Sequence, residues 1–244
     1  MTRSQPRPFA ASAASVVLFA AILAGCSAAG IGGGATIGPS ARASSPAPSA
    51  PAGSAAPSGA QGDCPTAQPA ALPAGEKRTV TIDTTKGAIA LQIDGTLSPI
   101  AAGNIVALAD CGWYDGVVFH RVVPDFVIQG GDGEFGRVGA NGKLAEPAQA
   151  GTGGPGYTIK DEPVTAPYGR GVVAMARTSD PDSVGSQFFI VLSDKAADVL
   201  KSYNTYQIVG KVTSGMDVVD AIAAAADAEN PTNPVVMTKV TVSP

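Results

Sequence analysis

The sequence predicts a mainly β fold over residues 76–244: a closed eight-stranded antiparallel barrel capped by two α-helices. Three observations carry this. Short β-branched runs recur at close spacing after Arg78, two stretches of helical periodicity sit near the two ends of that region, and the first 75 residues lack the bulky side chains a second core would need. Hydrophobic residues make up 45% of the 244, but much of that fraction is alanine before position 76. One packed domain is therefore the economical arrangement.

The elements follow in order. Thr79–Asp83 and Ala88–Ile93 alternate apolar and polar residues across a Lys86-Gly87 turn, the pattern of a β-hairpin. Ser98-Pro99 provides an N-cap and a first helical residue, Ile100, Ile105, Val106 and Leu108 form an apolar stripe, and Gly112 ends the helix. Strands are predicted at Val117–Val123, Phe126–Gln129, Tyr157–Ile159, Gly171–Ala176, Gln187–Leu192 and Tyr206–Lys211. A second helix over Met216–Ala225 and a last strand over Val235–Val242 close the chain. The glycine-rich stretch Gly130–Gly156 is long for a loop in a compact domain, which marks it as functional or mobile.

The first 75 residues read as address and spacer. Arg3 and Arg7 precede a short apolar run, Phe9 to Leu23, that ends at Leu23-Ala24-Gly25-Cys26. This is the layout of an export signal, too short and too alanine-rich for a permanent membrane span. Its end resembles the bacterial lipobox, in which the cysteine is acylated after cleavage. Residues 1–25 are then a lipoprotein signal peptide, Cys26 carries the lipid that holds the protein to the outer side of the cell membrane, and an ordinary secretory peptide is the alternative. Residues 26–75, rich in Ala, Pro, Ser and Gly, read as a disordered tether. Of the two remaining cysteines, Cys64 and Cys111, an exported protein can form a disulfide; two free thiols are the other reading.

Charge and composition exclude several functions. Formal net charge is −4, and removing Arg3 and Arg7 leaves about −6, with no basic patch for nucleic acid. Gly131-Asp132-Gly133-Glu134-Phe135-Gly136 matches a dinucleotide-binding pattern, but no helix opens after it and two carboxylates would repel a pyrophosphate. His120 is the only histidine, reads as structural, and rules against a histidine-based zinc site. Ser186 lacks the glycine spacing of a nucleophile elbow. No metal, cofactor or obligate second subunit is implied.

The informative stretch runs from Tyr114 to Asp132. Alternation across Phe119–Val123 puts Phe119, Arg121 and Val123 on one face, leaving an arginine on an apolar side, either as a buried ion pair or as a donor aimed at a ligand. Gln129 and Gln187 are likewise amides inside apolar runs that need partners if buried.

Phe119-His120-Arg121-Val122-Val123-Pro124, Phe126, Gln129-Gly130-Gly131-Asp132 and Gly185-Ser186-Gln187-Phe188-Phe189-Ile190 together resemble the cyclophilin signature, with Met175-Ala176-Arg177 and Tyr206–Val212 in matching order over residues 78–243. The resemblance implies a cyclophilin-like barrel and a cofactor-independent peptidyl-prolyl cis-trans isomerase acting on proline-containing polypeptides. It implies that Arg121 stabilises the twisted amide and that Gln129 orients Arg121 and the substrate. Phe126, Val127, Phe189 and Leu200 would line the proline pocket, with Tyr206 beside them, and Ala176, Arg177 and Gln187 would hold the preceding backbone. Val127, Val199 and Tyr206 differ from the best-known eukaryotic members, departures that bear on cyclosporin binding more than on isomerisation. The rival readings are a non-catalytic proline-peptide binding module or chaperone, and a hydrolase using Ser186.

Overall fold

The structure, a computed structural model, describes residues 63–244. The signal segment 1–25, Cys26 and the tether as far as residue 62 lie outside the described residues.

Eight strands form one antiparallel sheet: β1 (Lys77–Thr84), β2 (Gly87–Asp94), β3 (Arg121–Val123), β4 (Val127–Gly130), β5 (Val172–Met175), β6 (Phe188–Val191), β7 (Ile208–Ser214) and β8 (Met237–Ser243). Their spatial order is β3-β4-β6-β5-β7-β2-β1-β8. β1 and β2 pair from Lys77↔Asp94 to Thr84↔Gly87, so a two-residue turn joins them. Gly87 occupies the left-handed region at φ 131°, and Thr84 donates its hydroxyl to the Gly87 carbonyl at 2.7 Å. Alternation then turns Val80 and Ile82, with Ile89, Leu91 and Ile93 opposite, into the core.

The sheet is curled but open, which corrects the closed barrel. Its edges, β3 and β8, share no ladder. Only the isolated bridge Val118↔Val236 and flanking backbone bonds, such as Phe119 N–H to the Val235 carbonyl at 3.0 Å, cross the seam. The cause is the shortness of β3, bounded after Val123 by Pro124 and by Asp125 at φ 61°. The strand predicted over Val117–Val123 survives only as Arg121–Val123, and the one at Tyr157–Ile159 only as the bridge Ile159↔Val184. Period-2 alternation therefore does not run back from Arg121 to Phe119. Phe119 enters the main core, edge-on to Phe188 at 6.4 Å, while Arg121 faces out.

Three helices accompany the sheet where two were predicted: α1 (Pro99–Asp110), α2 (Ala196–Tyr203) and α3 (Met216–Ala225). α1 and α3 bury Ile105, Leu108, Val219 and Ile222 in the main core. The additional helix, α2, seals a smaller cluster on the opposite face of the sheet with Ala196 and Leu200. Ser98 precedes α1 but makes no capping bond; its buried hydroxyl has no partner. The cap comes from Glu162, whose two carboxylate oxygens accept the N–H groups of Ile100 and Ala101 at 2.9 Å each.

Residues 63–75 belong to the domain rather than to the tether. Cys64 and Cys111 form a disulfide, Leu72 is buried, and its N–H donates to the Pro99 carbonyl at 2.9 Å. The bond closes a loop of 47 residues in sequence separation, worth about 4 kcal/mol by chain entropy.

Candidate active site

The alternation of the sheet builds the site. Across β3, β4, β6 and β5 the paired residues Arg121↔Gln129, Gln129↔Phe189 and Phe189↔Ala174 form one row on the outer face. The adjoining row, Val122, Ile128, Ile190 and Val173, points the other way into the main core. Arg121 thus rises from the outer face beside a small apolar cluster of Val127, Ala174, Phe189, Val191, Leu200 and Ile208.

A cavity of about 110 Å³ opens there, lined by Arg121, Phe126, Val127, Gln129, Ala176, Arg177, Phe189, Leu200 and Tyr206. Those are the sequence-predicted site residues apart from Gln187, which lines an adjoining cleft of about 490 Å³ that shares Gln129, Ala176 and Arg177. Phe189 and Tyr206 meet edge to face at 5.4 Å, and Tyr203 continues the aromatic row at 6.2 Å from Tyr206, 63% exposed. Walls from Phe126, Val127, Phe189, Leu200 and Tyr206 meet the polar side chains of Arg121, Gln129 and Arg177 there.

Polar side chains around the cavity are tied into networks. Gln129 Nε2 donates to Gln187 Oε1 at 3.0 Å, and Gln187 Nε2 donates to the carbonyls of Gly151 and Gly153 at 2.9 Å each. Asp132, fully buried, organises that loop: one carboxylate oxygen accepts from Glu134 and Phe135 N–H, the other from Gly151 at 2.7 Å and Gly153 at 3.0 Å. The glycine-rich stretch is therefore pinned beside the cleft. In the sequence Asp132 stood at the end of the Gln129–Asp132 signature stretch and as a charge unsuited to phosphate, with no role assigned; buried, it positions the loop.

Two residues stand differently from their sequence-based roles. Gln129 faces Arg121 in register, but its amide bonds Gln187; the side chain bonded to Arg121 is Glu229, whose Oε1 accepts from Arg121 Nε at 2.8 Å. Arg177 lines the cavity with its donors turned inward, Nη1 to Asp161 at 2.8 Å, Nε to the Thr178 carbonyl and Nη2 to the Asp180 carbonyl. It contributes a wall and leaves the free cationic edge to Arg121. His120, adjacent in sequence, is buried at 4% exposure with neither ring nitrogen bonded, and burial holds its pKa down to about 4.

The arrangement sets the Arg121 guanidinium against a slot with aromatic and aliphatic walls, next to a cleft lined by Gln187 and Ala176. The family model for cyclophilin type peptidyl-prolyl cis-trans isomerase/CLD matches residues 79–242. The chain belongs to the cyclophilin family. A probable peptidyl-prolyl cis-trans isomerase of Brucella abortus is 41% identical over 158 residues, covering 64% of this chain and 77% of the relative. A peptidyl-prolyl cis-trans isomerase of Acinetobacter baylyi is 39% identical over 148 residues, 59% of this chain and 71% of its own length. Among solved structures, a Cryptosporidium parvum cyclophilin determined in the presence of the dipeptide Ala-Pro aligns with a TM-score of 0.55 at 27% identity, covering 68% of this chain and 99% of that one. The cyclophilin match thus begins inside β1, two residues after its start, and ends inside β8, one residue before its end.

Proposed function

We propose that the protein catalyses cis–trans isomerisation of Xaa-Pro peptide bonds in exported polypeptides, with Arg121 stabilising the twisted amide. The observation that carries this is the placement of Arg121 on the rim of the slot formed by Phe126, Val127, Phe189 and Leu200. The slot accepts the pyrrolidine ring, and the cleft beside Gln187 and Ala176 accepts the chain that precedes it.

The chemistry follows from the amide. Resonance opposes rotation with a barrier of about 18–20 kcal/mol. In the twisted state conjugation is lost and the prolyl nitrogen recovers a lone pair that can accept a hydrogen bond. A guanidinium aimed there binds the transition state better than either planar ground state, and it cannot deprotonate in the process. Lowering the barrier by about 5–7 kcal/mol would accelerate exchange by roughly 10⁴ to 10⁵, within reach of one charge-assisted donor and a preorganised pocket.

The lipobox-like Leu23–Cys26 supports the remainder: the chain is acylated at Cys26, works as a monomer outside the cytoplasmic membrane, and assists folding of secreted proteins. Palmitate incorporation abolished by Cys26→Ala, with release of the protein from the membrane fraction, is the expected result.

The deciding assay measures isomerisation of a short Xaa-Pro peptide by the wild type and by Arg121→Ala. The expectation is fast catalysis reduced about 100-fold or more in the variant. A folded wild type that binds the peptide without accelerating exchange would establish a proline-peptide binding module instead.

A further inference from the structure

We propose that Glu229 is the positioning residue for Arg121, an inference that rests on the isomerase reading above. Glu229 lies in the segment between α3 and β8, outside every signature stretch, and 108 residues from Arg121 in sequence. Its carboxylate bonds Nε, the inner nitrogen of the guanidinium, at 2.8 Å. Nε is the donor least able to reach a substrate. Because the guanidinium is planar, fixing the direction of the Nε–H fixes the plane, and both terminal amino groups remain to face the slot. No other side chain or carbonyl among the described residues accepts a hydrogen bond from Arg121.

Glu229 is itself held in place by the chain it serves. Its backbone carbonyl accepts from the Val122 N–H at 2.7 Å, and Asn230 Nδ2 donates to the His120 carbonyl at 3.4 Å. Residues 229 and 230 therefore grip the backbone on both sides of Arg121, at the outer edge of β3. The main chain thus sets the point from which the Glu229 side chain reaches the guanidinium.

The same pair contributes little to folding. The side chains are 33% and 58% exposed, and ion pairs that open to water add little to stability. Its value lies in restraining a long side chain before substrate arrives, so that the ordering cost is not met in the transition state.

The test uses the full chain and separates kcat from KM for an Xaa-Pro peptide in wild type, Glu229→Ala, Glu229→Gln, Glu229→Asp, Arg121→Ala and the double variant Arg121→Ala with Glu229→Ala. Glu229→Ala should lower kcat about 10-fold, with KM changed less than about 2-fold and the thermal midpoint unmoved. Glu229→Gln, which keeps an acceptor at the same reach, should recover most of the rate; Glu229→Asp, which keeps charge and loses reach, should resemble Ala. The double variant should be no slower than Arg121→Ala alone. An unchanged or raised kcat in Glu229→Ala, rescue by Asp in place of Gln, or a further loss on the Arg121→Ala background would overturn the proposal. Wild-type rates in Arg121→Ala would instead remove the isomerase mechanism itself.

Discussion

One residue of register separates the row Val122, Ile128, Ile190 and Val173 from the row Arg121, Gln129, Phe189 and Ala174. The first row is apolar throughout and sealed beneath α1 and α3; the second mixes a cation and an amide with apolar groups under the partial cover of α2. Both are made by the same backbone ladder. The contrast teaches that stability and catalysis are divided by side-chain parity, and a slip of one residue would exchange them.

The sharpest way to break that division is from the core side. Ile190→Ala removes a fully buried side chain and should cost about 4 kcal/mol in denaturant unfolding, while the folded protein keeps its kcat/KM. A rate loss beyond the unfolded fraction would mean that the two faces are coupled.

His120 tests the boundary, since it adjoins Arg121 in sequence but is buried with the core. Its folded pKa of about 4 lies below the usual value of 6.5, so protonation favours the unfolded chain. The corresponding stability is present above about pH 6.5 and is lost as pH falls towards 4, on the order of 3 kcal/mol in all. As the only histidine, it owns the upper part of this window, and His120→Gln should flatten the stability profile there. Turnover per folded molecule should stay level across it, because a guanidinium does not titrate.

From the groove side, Arg121→Ala should leave stability within about 1 kcal/mol of wild type despite its large kinetic effect. Calorimetry beside the isomerisation assay checks this. The last effect is one of stability alone: Glu162→Ala, which removes the cap of α1, should lower the unfolding free energy by about 1.5 kcal/mol without altering kcat.

The legible parts of the molecule were those written locally. The first hairpin, the start of α1 at Pro99 and the Phe119–Pro124 stretch each carry their signal within a few residues, and nearly all the groove residues follow from the signature. What escaped depends on distant partners. α2 spans eight residues and buries only Ala196 and Leu200, too weak a period to stand out. Glu162 and Glu229 are ordinary surface carboxylates until folding brings each to a backbone or a cation far away in sequence. Residues 63–75 have the composition of a spacer, and only Cys64 hinted that they are pinned; the burial of Leu72 shows in the structure alone. The barrel was read as closed because counting strands does not reveal that β3 has just three residues.

The disulfide also sets a mechanical path. Tension applied through the residues that precede Cys64 passes straight across the sulfur bridge into Cys111, at the end of α1. The enclosed stretch, which contains β1, β2 and α1, lies outside that line of force and cannot be peeled from the sheet by a pull on the N-terminal side. A pull from the N-terminal side therefore enters the fold at Cys64 and Cys111 rather than at the hairpin that begins the sheet.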